Sequence, residues 1–101
     1  MSDASTDRVV KQYRSQISDA DLAILTAVNK RISLVARLHA YKRERGYDVL
    51  DPAREDWMLS FLKRANTGPI SEEQLTELYQ HLLDLSKAEA RRLGEEETAT
   101  A

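Results

Sequence analysis

The segment from Asp7 to Arg45 contains no glycine or proline, and it constrains the fold more than any other part of the sequence. Apolar residues recur along it at helical spacing, at Tyr13, Ile17, Ile24, Leu25, Val28, Ile32, Val35 and Leu38. One helix of this length would extend roughly 58 Å, whereas a compact globule of about 100 residues has a radius of gyration of about 13 Å. The rest of the chain is too short to cover such a helix. We therefore expect a dimer in which two long helices cover each other, in preference to a free coiled coil.

The residues that follow predict two shorter helices. Gly46 ends the long helix, and Asp51 before Pro52 is typical of an N-cap followed by the first turn of a second helix. The segment 67–69, Thr-Gly-Pro, interrupts the chain again. The scarcity of glycine and proline elsewhere favours an all-helical protein.

The third helix is expected to begin at a capping box formed by Ser71 and Gln74. Leucines follow on one side of it, and Gly94 is its expected end. We predict an all-α fold of three helices, one very long and two shorter, forming an intertwined helical homodimer. The predicted boundaries are a disordered N-terminus, a helical domain and a disordered C-terminal tail, at 1–6, 7–93 and 94–101.

Composition excludes several classes of function. Without cysteine, the chain has no disulfide, thiolate nucleophile or zinc-thiolate cluster. Its net charge of -2 provides no general attraction to nucleic acid or anionic membrane. No apolar run approaches the roughly 18 residues of a membrane span, and the first residues lack a signal-peptide core, so we expect a cytoplasmic protein. His39 and His81 lie on different predicted helices, and we expect neither a metal nor another cofactor.

Arg31 lies in the apolar face of the long helix. Its neighbours on that surface are all apolar, namely Ile24, Ala27, Val28, Leu34, Val35 and Leu38. An unpaired charge there costs several kcal/mol, so Arg31 needs an anionic partner, either a structural carboxylate or a bound ligand. Lys42 projects from the same side about three turns later. Arg14 lies about 25 Å from Arg31 along the helix, which is too far for both to bind one small ligand within a single chain. In a dimer, however, Arg14 of one chain can reach the pocket of the other.

The start of the second helix carries two further charges. Glu55 complements the helix dipole, but Arg54 does not, because a cation near a helix N-terminus is electrostatically unfavourable. Free N–H groups at this end of the helix favour a negative ligand. In the third helix, Ser86 interrupts the stripe of leucines. A small polar residue is usually tolerated in an apolar helix face, so Ser86 alone does not indicate a site.

The order of these residues resembles the all-helical, type II class of chorismate mutases. The resemblance covers residues 7–93 and depends on an ordered series: R-x-x-I at Arg14, an apolar run around Arg31, Lys42, D-P-x-R-E from Asp51, and Ser86. It implies an intertwined homodimer with two equivalent sites and no cofactor. The implied reaction is the rearrangement of chorismate to prephenate, at the branch of the shikimate pathway toward phenylalanine and tyrosine.

The resemblance also implies a role for each residue. The implied catalytic residues are Arg31, Lys42 and Glu55. The implied substrate-binding residues are Asp51, Arg54, Ser86 and the partner subunit's Arg14. Arg31 and the partner subunit's Arg14 would clamp the substrate carboxylates. Lys42 would face the ether oxygen that gains negative charge as its bond breaks, while Asp51 and Glu55 would hold the ring hydroxyl. Such a reaction needs no nucleophile or proton shuttle, but it does need electrostatic clamping of a dianion in a reactive conformer.

Ala90 departs from the family pattern, because the family usually has glutamine or glutamate there, which contacts the ether oxygen together with the lysine. Three other functions therefore remain open. One is an isochorismate pyruvate-lyase, and another is a 4-amino-4-deoxychorismate mutase, whose substrate carries an ammonium that Glu55 could pair with. The third is a weakly active mutase-like partner that regulates the first shikimate-pathway synthase. A coiled-coil adaptor would leave Arg31 and Arg54 unexplained.

Overall fold

The computed structural model describes residues 4–100, except for the side chains of residues 97–100. A single 3-10 turn at Ala4–Thr6 precedes three α-helices, which are α1 at Arg8–Glu44, α2 at Pro52–Ala65 and α3 at Glu72–Thr100. No strand occurs between residues 4 and 100. The prediction of an all-α fold with one very long and two shorter helices is confirmed. No helix in this described part is long and apolar enough to cross a membrane.

The two ends of α1 are set by local hydrogen bonds. At its start, the Asp7 carboxylate accepts hydrogen bonds from the N–H groups of Val9 and Val10, at 2.8 and 3.2 Å. At its end, Gly46 adopts a left-handed conformation with φ of 71°. The N–H of Tyr47 donates to the carbonyl of Lys42 at 2.9 Å, which is the bond that closes a Schellman motif. Gly46 therefore ends the helix as the sequence predicts, since the left-handed region is open to glycine.

The chain divides into two units between Lys30 and Arg31. Within the first unit, α1 carries a series of large apolar side chains that are each more than half exposed, namely Val9, Tyr13, Ile17, Leu22, Ile24 and Leu25. No residue of α1 is buried in the single chain. Exposed apolar surface of this extent is typical of an interface with another molecule. The homodimer itself stays a prediction.

The second unit has its core on one face of α3, which packs against α2. Among the described residues, the buried ones are Leu75, Leu83, Ser86 and Ala90, all from α3 and all at helical spacing. Trp57 and Phe61 of α2 stack with their ring centroids 5.2 Å apart, yet they stay 46% and 44% exposed. This aromatic pair is thus only about half covered within one chain.

Both shorter helices begin with the caps that the sequence predicts. Asp51 accepts a hydrogen bond from the N–H of Arg54 at 3.0 Å, and Pro52 occupies the first turn of α2. The hydroxyl of Ser71 accepts a hydrogen bond from the N–H of Gln74 at 3.2 Å. These bonds satisfy N–H groups that have no partner inside the helix.

The prediction that the third helix ends at Gly94 is wrong, because α3 continues to Thr100. Gly94 is not among the glycines with positive φ, so it does not form the left-handed turn that ends a helix. A Cβ built on Gly94 would lie 3.2 Å from the guanidinium of Arg43. Glycine at this position therefore makes room for an arginine of α1.

Charged pairs span the expected helix end. Arg92 donates hydrogen bonds to Glu89 at 2.6 Å and to Glu96 at 2.8 Å, one helical turn to each side. Such pairs stabilise an exposed helix. The disorder of residues 94–101 stays a prediction, as does that of residues 1–6, and residues 1–3 and Ala101 lie outside the described part.

Replacing Asp51 by alanine should lower the free energy of unfolding by about 1 kcal/mol, because the N–H of Arg54 loses its acceptor. Asp51→Asn should be nearly neutral, since asparagine is an equally good N-cap. Urea unfolding of the three proteins measures this difference. Asp48→Ala, in the preceding loop, is the control, and a loss as large as that of Asp51→Ala would contradict the capping role.

Candidate active site

A cavity of about 110 Å³ is enclosed by the C-terminal half of α1, the loop after it, the start of α2 and the middle of α3. Six of the seven predicted site residues line it, namely Arg31, Lys42, Asp51, Arg54, Glu55 and Ser86. Apolar side chains complete its wall, including Val35, Leu38, Leu50, Met58 and Leu83. Arg14, the seventh, is an exposed residue of α1 in the first unit and does not line this cavity. The functional roles of all seven stay predictions.

Two of the cations in the cavity come from α1. Arg31 is partly buried, and among the side chains of residues 4–96 it forms no ion pair with a carboxylate. Lys42 donates a hydrogen bond from Nζ to the carbonyl oxygen of Val49 at 3.2 Å. That bond holds the ammonium while leaving other N–H donors for a ligand. Of the two partners that the sequence leaves open for Arg31, the described part of this chain provides no structural carboxylate.

The third cation belongs to the first turn of α2. The backbone N–H of Arg54 is held by the Asp51 carboxylate, and its guanidinium lies 4.1 Å from the ring centroid of Trp57. A cation over an aromatic face is stabilised without being neutralised. Arg54 thus keeps its full charge near the helix N-terminus, where an anionic ligand is also favoured by the free N–H groups.

Glu55 has a partner that the sequence pattern did not reveal. Lys87 of α3 lies 2.9 Å from Glu55 Oε1, and the two side chains are 33% and 28% exposed. A second carboxylate, that of Asp84, lies farther from the Lys87 Nζ atom, at 3.9 Å. In the sequence, Lys87 is an ordinary charged residue of a helix surface. Only the packing of α3 against α2 makes it part of the cavity wall.

Ser86 supplies a hydroxyl with no partner. Its side chain is 1% exposed, and within the described part of the chain its Oγ forms no hydrogen bond. Buried hydroxyl groups almost always have a partner, so an unsatisfied one needs an explanation. Ser86 also lines the cavity, so a molecule bound there is a candidate partner for its hydroxyl.

The charges of the cavity are unequal. Among the described side chains, four basic groups and two carboxylates line it, which leaves a formal excess of two positive charges. The cations are Arg31, Lys42, Arg54 and Lys87, and the carboxylates are Asp51 and Glu55. A cavity with this balance suits a ligand that carries two negative charges. Among the described side chains, those of residues 4–96, no group of three His, Asp or Glu is arranged to hold a metal ion.

His39 is a further residue of the cavity wall, although its sequence context indicated no function. Burial lowers the pKa of His39 below its ordinary value, and the positive charges of Lys42, Arg43 and Lys87 lower it further. The imidazole is therefore neutral at pH 7 and adds no charge to the cavity. The only sign of His39 in the sequence was a histidine close to cationic residues of the same helix, α1. Such a pattern is found on helix surfaces as well as in functional sites, so it does not identify a site.

A larger groove of about 910 Å³ lies beside the cavity and shares with it His39, Val49, Leu50 and Lys87. The remaining side chains of the groove include two cations, Arg43 and Arg91, and two carboxylates, Asp84 and Glu95. None of the predicted site residues lines it. The smaller cavity is therefore the candidate active site, because six of the seven predicted site residues line it.

Ala90 is 1% exposed and does not line the cavity. Its methyl group cannot form the hydrogen bond expected of the glutamine or glutamate that usually occupies this position in the family that the sequence resembles. Among the described residues of α3, three side chains line the cavity, those of Leu83, Ser86 and Lys87.

Acidification should destabilise the protein through His39. Because the pKa of His39 is lowered in the folded state, the unfolded chain binds the proton more tightly. The stability linked to this group is fully present above about pH 6.5 and is lost as the pH falls through the lower, folded pKa.

Replacing His39 by glutamine removes the titrating group. Thermal unfolding between about pH 7 and about pH 5 should therefore show a smaller loss of stability for His39→Gln than for the wild type. His81→Gln, at an exposed position of α3, is the matched control and should follow the wild type. Identical pH profiles for all three proteins would contradict the electrostatic argument.

The comparison with protein families agrees with this geometry. The family model of chorismate mutase type II matches residues 13–91, which is most of the chain. The matched range includes every predicted site residue. A comparison with curated proteins finds no match.

Among solved structures, the chain is similar to a chorismate mutase (form II) from Thermus thermophilus. The two sequences are 26% identical, and the match has a TM-score of 0.79. It covers 84% of this chain and 97% of that chain. The similarity therefore extends over nearly the whole helical domain.

Proposed function

The chain belongs to the chorismate mutase type II family, an enzyme family of isomerases, and we propose that it rearranges chorismate to prephenate in the cavity around Arg31 and Lys42. In this proposal the enzyme serves aromatic amino acid biosynthesis and works as a homodimer without a cofactor. Chorismate carries two carboxylates, an enol ether and a ring hydroxyl. The proposal assigns each of these groups to side chains of the cavity wall.

The observation that carries the proposal is the excess of two positive charges in a partly apolar cavity. Arg31, Lys42 and Arg54 have no carboxylate partner within the described part of the chain. Keeping cations unpaired beside apolar side chains costs free energy, which a dianionic ligand recovers on binding. The arrangement therefore supports a substrate with two carboxylates over a neutral or cationic one.

The proposed mechanism is electrostatic clamping. Arg31 and the partner subunit's Arg14 hold the carboxylates, assisted by Arg54, so that the substrate is kept in the compact conformer in which the new carbon–carbon bond can form. Lys42 donates to the ether oxygen as its bond to carbon breaks and negative charge develops there. Its hydrogen bond to Val49 supports this role, because a donor that is already positioned needs no reorganisation during the reaction.

The remaining side chains orient the substrate. Asp51 and Glu55 accept a hydrogen bond from the ring hydroxyl, and their positions in the first turn of α2 follow from the N-cap. Ser86 donates to a substrate carboxylate, which would satisfy its otherwise unpartnered hydroxyl. Each of these groups is a hydrogen-bonding partner that the substrate needs at a defined place.

The homodimer is supported by two observations. Large apolar side chains of α1 are exposed in the single chain. In addition, the cavity of about 110 Å³ is smaller than the roughly 300 Å³ at which ligand sites usually begin. A site completed by a second chain, including its Arg14, accounts for both.

Lys42→Ala should reduce the turnover of chorismate at least about a hundredfold, because one preorganised electrostatic contact to the developing charge is lost. The measurement is a steady-state assay that follows the disappearance of chorismate. Circular dichroism and sedimentation should show an unchanged helical oligomer. Lys63→Ala, an exposed lysine in the last turn of α2, is the control and should keep wild-type activity.

Near wild-type turnover by Lys42→Ala would contradict the site assignment. The same assay separates the enzyme alternatives when isochorismate and 4-amino-4-deoxychorismate replace chorismate and the products are resolved chromatographically. Formation of pyruvate from isochorismate in preference to prephenate from chorismate would identify a pyruvate-lyase.

A second candidate function is favoured by Ala90. Because this position offers no hydrogen bond to the ether oxygen, Lys42 acts there without its usual companion. In this alternative the protein is a weakly active mutase-like regulatory partner of a shikimate-pathway synthase, and its own turnover rises when the two proteins bind. Chorismate turnover that rises strongly only when the synthase is added would favour the alternative.

Mixing two inactive variants tests whether Arg14 acts across the dimer. In a mixed dimer of Arg14→Ala and Lys42→Ala chains, one of the two sites combines an intact Arg14 with an intact Lys42 only if Arg14 comes from the partner. After subunit exchange at equal amounts, activity should recover to about one quarter of the wild-type value. If Arg14 acts within its own chain, no mixed dimer contains an intact site and activity stays absent.

A further inference from the structure

The ion pair between Lys87 and Glu55 lies in the wall of the candidate active site but belongs to none of the motifs that define it. We propose that Lys87 is a specificity-determining residue, which neutralises Glu55 and thereby selects a substrate with a hydroxyl over one with an ammonium at the ring position facing Glu55. This inference rests on the proposed function, because it concerns which chorismate-like compound the same cavity accepts.

The geometry identifies Glu55 as the principal partner of Lys87. The Nζ atom of Lys87 lies 2.9 Å from Glu55 and 3.9 Å from Asp84. The side chain of Glu55 is 28% exposed, whereas that of Asp84 is 62% exposed. Water screens the exposed pair more than the partly covered one, so Lys87 interacts more strongly with Glu55.

Lys87 is also well placed to act on a ligand. It is the one ionisable side chain that the described part of α3 contributes to the lining of the cavity, beside Leu83 and Ser86. Its ammonium therefore shares the cavity with whatever group Glu55 contacts. Because the pair joins α2 and α3, it also holds the Glu55 carboxylate in one place.

The charge balance then decides between two substituents. A hydroxyl can donate a hydrogen bond to an oxygen of Glu55 while the carboxylate stays paired with Lys87, because a carboxylate has several acceptor positions. An ammonium at the same place brings another positive charge to a carboxylate that is already neutralised. It does so in a cavity that already has an excess of two positive charges. Juxtaposed like charges disfavour this second substrate strongly.

The test compares two substrates in wild-type protein and in Lys87→Met, which keeps the length of the side chain but removes its charge. The measured quantity is kcat/KM for chorismate divided by kcat/KM for 4-amino-4-deoxychorismate. We expect the wild type to prefer chorismate and Lys87→Met to lower this ratio by about tenfold or more, because Glu55 becomes free to pair with the substrate ammonium.

Three further variants separate specificity from stability. Lys87→Arg keeps the charge and should keep the wild-type ratio, and Asp84→Asn removes only the distant partner and should keep it as well. In a Glu55→Gln background, Lys87→Met should no longer change the ratio, since the carboxylate is gone. If Lys87→Met does not fold, Lys87→Gln provides the same loss of charge.

Two outcomes would overturn the inference while leaving the proposed function intact. In the first, Lys87→Met lowers kcat/KM equally for both substrates, so the ratio of the two values stays unchanged. A purely structural role of Lys87 predicts this result. The other is a wild-type enzyme that turns over chorismate but prefers the amino compound. A wild type that turns over neither compound would instead overturn the proposed function, and the inference with it.

Discussion

An excess of cations over carboxylates in one small cavity is the constraint on which the rest of this structure depends. Arg31, Lys42 and Arg54 lie among apolar side chains, and none of them has a carboxylate partner among the described side chains. Such an arrangement lowers stability unless an anion binds. In our proposal, the free energy that these unpaired charges cost is recovered when a doubly charged substrate binds. A chain selected for stability alone would have paired or removed these charges.

Helix geometry holds the cations in position. The helix α1 is uninterrupted from Arg8 to Glu44, so Arg31 and Lys42 are rigidly spaced along one side. The N-cap at Asp51 sets where α2 begins and therefore where Arg54 and Glu55 project. Catalysis by preorganised charge requires this rigidity, since donors that had to move during the reaction would lose part of their advantage.

The third helix contributes differently from what the family resemblance implies. Ala90 is buried and has no polar group, whereas Lys87 reaches the cavity and pairs with Glu55. In our proposals, α3 thus provides less assistance at the ether oxygen and more control over the charge at the ring hydroxyl. Reduced assistance at the bond that breaks is consistent with an enzyme that depends on a partner for full activity. The ion pair is consistent with selection for chorismate itself.

The sequence by itself determined the features that depend on neighbouring residues. These include the long α1, its end at Gly46, the caps at Asp51 and Ser71, and the common side of Arg31 and Lys42. Capping hydrogen bonds act within a few residues, and helical spacing acts along one rigid axis, so the sequence alone encodes both. The tertiary structure decided the rest. Whether Gly94 ends a helix depends on its φ and on Arg43 beside it, and the approach of Lys87 to Glu55 depends on how α3 packs against α2. Contacts between helices are set by packing over the whole unit, and no local pattern encodes them.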